Sequence, residues 1–64
     1  MKVLDLLRNH KWNMQALISE QVGEPAPGFH VLIQTINGFG LDKTTVHRTK
    51  ADAYDHARTV LGMV

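Results

Sequence analysis

The chain has 64 residues, no cysteine, a net charge of +1 with histidine neutral, and 44% hydrophobic residues. A chain this short holds one small domain, and neither a disulfide scaffold nor a cysteine-based zinc fold can be built from it. Charge is spread evenly, net zero over residues 1–32 and +1 over residues 33–64, so neither half is a basic arm or an acidic tail.

Residues 3–7 are interrupted by Asp5 and followed by Arg8, so no signal-peptide core forms. No run approaches the roughly 18 apolar residues of a membrane span. These features, with Met1 at the start, predict a complete, soluble, cytoplasmic chain with no membrane partner.

Residues 2–22 read as helical. Val3, Leu4, Leu7, Met14, Ile18, Gln21 and Val22 fall on one side of a 3.6-residue wheel, and Leu6 and Leu17 widen that stripe. Trp12 falls off it. The polar stretch at 9–13 carries two Asn, so either one long helix or two short ones fit, with Asn13 as an N-cap for the second. Gly23 and Pro25 end the helix, and residues 23–28 form a stiff connector inside one domain.

Residues 29–37 (FHVLIQTIN) read as a strand, with Phe29, Val31, Ile33 and Thr35 on one face and His30, Leu32, Gln34 and Ile36 on the other. Both faces carry apolar groups. The sequence Asn37-Gly38-Phe39-Gly40 is a hairpin signal, with a return strand over residues 41–48. Thr49-Lys50-Ala51-Asp52 then reads as a helix-capping sequence. The helix runs to Leu61 and buries Ala53, Tyr54, Ala57, Val60 and Leu61, leaving Asp52, Asp55, His56 and Thr59 outside. The expected fold is a single α+β domain over residues 1–64: one N-terminal helix or two short ones, a two-stranded antiparallel hairpin, and a C-terminal helix.

Chemistry is sparsely encoded. The four histidines, at 10, 30, 47 and 56, show no helical ligand spacing, so no metal or cofactor is expected. His47 and His56 meet only if the return strand and the last helix converge. Ser19 is the only serine, with no nucleophile elbow around it. The glycines at 38 and 40 are too close together for a phosphate loop. An enzyme is not expected.

Two kinds of surface remain. Asp42, Asp52 and Asp55 can form an acidic face that imitates phosphates, with Phe39 and Trp12 as aromatic anchors for a protein partner. Alternatively, Arg8, Lys11, Arg48 and Lys50 offer phosphate contacts, with Trp12 as a stacking platform for nucleic acid. The apolar strand face or the apolar C-terminus at 61–64 is also compatible with a homodimer.

The strand, glycine turn, second strand and Thr49-Lys50-Ala51-Asp52-Ala53 helix start resemble the sheet-then-helix units of phage integrase arm-binding domains. Those domains have a third strand. In size and lack of catalytic motifs the chain resembles small phage accessory proteins, including anti-CRISPR inhibitors. That resemblance implies occlusion of a host protein or a protein–nucleic-acid complex, with direct nucleic-acid binding as the second choice.

Overall fold

The computed structural model describes residues 2–23, 27–37 and 42–62. Four strands form one sheet in the order β1-β2-β3-β4: β1 (Lys2–Asn9), β2 (Met14–Gln21), β3 (Gly28–Thr35) and β4 (Asp42–His47). All neighbours are antiparallel. One helix, α1 (Lys50–Leu61), follows and packs on a single face of this meander. Among the described residues, no helix is long and apolar enough to cross a membrane.

The expected N-terminal helix and two-stranded hairpin are therefore replaced by a four-stranded sheet. The reason lies in how β1 and β2 spend their apolar residues. Val3 pairs with Ser19 and Asp5 with Ile18, leaving Leu4 as an extra residue. A bulge of this kind turns two successive residues to one side and breaks the period of two. Leu4 and Leu7 both pack against the core, three residues apart, as on a helix. In β2 the core residues are Met14, Ala16 and Ile18. The small Ala16 is easily passed over, which leaves the helix-like spacing of Met14 and Ile18. Most residues of β1 and β2 also favour helices intrinsically, and sheet pairing overrides that preference.

The polar stretch at 9–13 is the β1–β2 turn. Asn9 pairs with Met14, and Asn13 adopts a left-handed φ of 55°, which Asn tolerates better than most residues. Asn13 is thus a turn residue, where an N-cap had been expected.

The later elements fall close to their expected places. Thr49 caps α1 in extended conformation, and its hydroxyl accepts from the Asp52 N–H. The helix stops at Gly62 with φ 71°, whose N–H donates back to the Arg58 and Thr59 carbonyls. The expected turn at Gly38, Phe39 and Gly40 lies outside the described residues.

The core is one layer between sheet and helix. Ala53, Ala57 and Leu61 meet Ala16, Ile18, Val31 and Ile33, all buried. Two alanines on the contact stripe let the helix lie close over β2 and β3. Tyr54 and Val60 flank it, joined by Leu4, Leu7, Met14 and Phe29.

Asn9 ties the far end of the helix to the sheet. Its Nδ2 donates to the Leu61 carbonyl at 2.6 Å, and its Oδ1 accepts from the Trp12 N–H at 3.3 Å. One side chain thereby holds both the hairpin turn and a helix-end carbonyl. Trp12 lies over Gly62, where a Cβ would come within 2.5 Å of its ring.

Because the core is a single thin layer, it should be sensitive to small deletions. Ile18→Val should cost about 0.5–1.5 kcal/mol, and Leu61→Ala about 2–5 kcal/mol. Denaturant titration checks this, and Leu61→Ala should leave little folded protein.

Candidate interaction face

The strand registers define what the other face of the sheet presents. Side chains alternate across a strand, so cross-strand partners share a face. On the face away from α1 they form three rows. The first is Val3, Ser19, His30 and Val46; the second is Leu6, Leu17, Leu32 and Thr44; the third is Arg8, Gln15, Gln34 and Asp42.

The first two rows are mainly apolar and, apart from Ser19, which is only 4% exposed, at least partly open. Val3 is 58% exposed, Val46 52% and Leu6 40%. Leu17 and Leu32 are half-buried between them. The third row is a polar ladder. Arg8 Nε donates to Gln15 Oε1 at 3.1 Å, and Gln15 Nε2 donates to Gln34 Oε1 at 3.2 Å. The row ends on exposed Asp42. The result is an apolar centre bordered on one side by a polar strip with opposite charges at its two ends.

Pairing also explains why sequence reading missed this face. The two-sided apolar pattern of β3 is visible in sequence, but Leu6 and Leu17 fit a helix stripe equally well. Only the register of four strands places both beside Leu32.

The acidic set is divided. Asp52 and Asp55 lie exposed on α1, while Asp42 sits on the helix-free face. Asp42 is also at the opposite end, since β4 runs away from it to the helix start. Trp12 is 52% exposed but partly engaged over Gly62. Phe39 lies outside the described residues.

The basic residues are divided too. Arg8 and Lys11 belong to the β1–β2 turn end, beside the helix C-terminus. Arg48 and Lys50 stand exposed at the β4–α1 junction, at the other end of the sheet.

Two smaller clusters lie on the helix side. Tyr54 donates its hydroxyl to Asp5 Oδ2 at 3.2 Å, and Asp5 Oδ1 accepts from the Leu6 N–H at 2.8 Å. The bulge at Leu4 is what turns Asp5 inward to reach Tyr54. Arg58 and Lys50 lie 5.6 and 6.0 Å from the Tyr54 ring centre. Desolvation of the ring, then the charge and hydrogen bond of Asp5, push the phenol above its ordinary pKa, and Arg58 opposes them. A shallow open depression here is lined by Lys50, Asp52, Tyr54, Asp55 and Arg58.

The second cluster is His47 and His56, whose ring centres are 4.9 Å apart. His56 thus turns toward β4, where an outward position had been expected. Thr45 Oγ1 and His47 Nε2 are 2.8 Å apart. Among the described residues, no three His, Asp or Glu side chains gather as a metal site would require.

Partial burial, then His47 and Lys43, hold the His56 pKa below its ordinary 6.5. The folded chain therefore binds fewer protons at His56 than the unfolded chain does. Its contribution is complete above the unfolded value and declines as pH falls through and below it. Melting temperature should fall between about pH 7.5 and 5. The fall should be smaller in His56→Gln; an equal fall in both would contradict this assignment.

No family model matches the chain, and comparison with curated proteins and with solved structures gives no match either.

Proposed function

We propose that this chain is a non-enzymatic protein-binding module that acts through the helix-free face of its sheet. The carrying observation is the exposure of Val3, Leu6 and Val46 around half-buried Leu17 and Leu32, on the face of the sheet opposite the helix. Exposed apolar patches bordered by polar groups are characteristic of interaction sites.

The remaining chemistry supports binding over catalysis. Ser19 is only 4% exposed, the sequence holds no thiol, and the depression on α1 is open. Enzyme sites are usually enclosed clefts with convergent polar groups. A small module of this kind can act by steric occlusion of a host protein or a protein–nucleic-acid complex, as small phage-encoded inhibitors do. A cytosolic setting fits a chain without cysteine.

The division of the aspartates gives the sheet face priority over an acidic, phosphate-imitating face. The separation of Arg8 and Lys11 from Arg48 and Lys50, at opposite ends of the sheet, likewise favours the sheet face over a nucleic-acid track.

Capture experiments separate these surfaces. Tagged wild type, Leu6→Thr/Val46→Thr and Asp52→Asn/Asp55→Asn should be compared for retained protein in a lysate of the cells that express the chain. Threonine keeps strand preference while removing apolar surface. The sheet variant should lose most of the stoichiometric protein held by wild type, while the helix variant keeps it. Equal retention by the sheet variant, confirmed as folded by circular dichroism, would overturn the proposal.

A further inference from the structure

We infer that the occupant of the helix-free face is a second copy of this chain, packed sheet on sheet about a two-fold axis. The inference rests on reading that face as an interface and names its partner.

The three rows are complementary to themselves. Consider an axis parallel to the strands and midway between β2 and β3. It lays β1 over β4 of the second copy and β2 over β3. Each row then meets itself reversed, as an isologous interface requires.

The third row places Arg8 opposite Asp42 of the second copy, twice, with Gln15 opposite Gln34. The second row places Leu17 opposite Leu32, the half-buried pair at the centre. The first row places Val3 opposite Val46, the two most exposed apolar residues of the face. Charge therefore meets opposite charge at the polar strip, Leu17 meets Leu32 at the centre and Val3 meets Val46 at the other end, while Leu6 lies opposite Thr44 and Ser19 opposite His30. Packed sheets cross at about 30°, which displaces the corners by a few ångströms, within reach of an Arg side chain.

Area sets the strength. Three strands of eight residues and one of six, at about 4.8 Å spacing and about 3.3 Å per residue, give a face of roughly 480 Å². Two such faces bury about 1,000 Å², at the lower limit for a specific interface. An area at this limit fits a reversible dimer whose strength is set by the packing and charge pairing and not by area alone.

The test is sedimentation equilibrium from about 1 to 500 μM on wild type, Arg8→Asp, Asp42→Arg, the double exchange Arg8→Asp/Asp42→Arg, and Leu6→Thr/Val46→Thr. Circular dichroism confirms that each is folded. Wild type should show a monomer–dimer equilibrium. Each single charge variant places like charges opposite each other and should weaken association about tenfold or more. The double exchange should recover to within about threefold of wild type, because it restores both pairs with reversed sign. The sheet variant should also dissociate.

A wild-type dimer insensitive to these changes, or a double exchange that fails to recover, would overturn the inference by placing the contact elsewhere. A wild type monomeric throughout would also overturn it. If that monomer still captures a different protein through Leu6 and Val46, only the second copy fails as occupant. If it captures none, the interface reading fails with it.

Discussion

The contact of Ala53, Ala57 and Leu61 with Ile18, Val31 and Ile33 carries the fold, and its geometry limits it to one side of the sheet. A single helix of 12 residues can cover one face of four strands and no more. The alanines bring the helix close, the Thr49 cap starts it, and Asn9 holds its last turn against the β1–β2 hairpin. Each device fastens the same side. The other face, with Leu6, Leu17 and Leu32 across its middle, is not covered by the helix and keeps Val3, Leu6 and Val46 exposed.

That asymmetry connects energetics to function. A core this thin supplies only about 3–5 kcal/mol in a chain of this length without disulfides. Covering a second apolar face would add to stability as well as provide recognition, because any partner that binds only the folded chain stabilises it by mass action. The edge strands are managed in keeping with this. The bulge at Leu4 distorts β1, and β4 is short and carries Lys43; both features discourage edge-to-edge pairing. In the proposed dimer, association would therefore use the flat of the sheet and not its edges.

The C-terminal half was legible because its local signals agree with its tertiary role. β3 is rich in β-branched residues, and α1 has a Thr cap and a Gly stop. The N-terminal half was not, because its signals conflict. The bulge gives Leu4 and Leu7 helical spacing, Ala16 hides the alternation of β2, and both strands are built largely from helix-favouring residues. Asn13 fits both roles by composition, and only its left-handed φ distinguishes the turn residue from a cap. The candidate face was illegible for the same reason. Leu6, Leu17 and Leu32 become neighbours only through strand register, and Arg8 and Asp42, 34 positions apart, become the ends of one row.

The most direct test of a one-sided sheet is the accessibility of its leucine methyl groups to a soluble paramagnetic probe, measured by NMR across a dilution series. At low concentration Leu6, Leu17 and Leu32 should relax strongly while Leu7 and Leu61 stay shielded. As concentration rises, the first three should become shielded together. Shielding of Leu6, Leu17 and Leu32 at every dilution would show that the chain covers the face itself. Strong relaxation at every concentration would show that no second copy covers it. Either result would contradict the account.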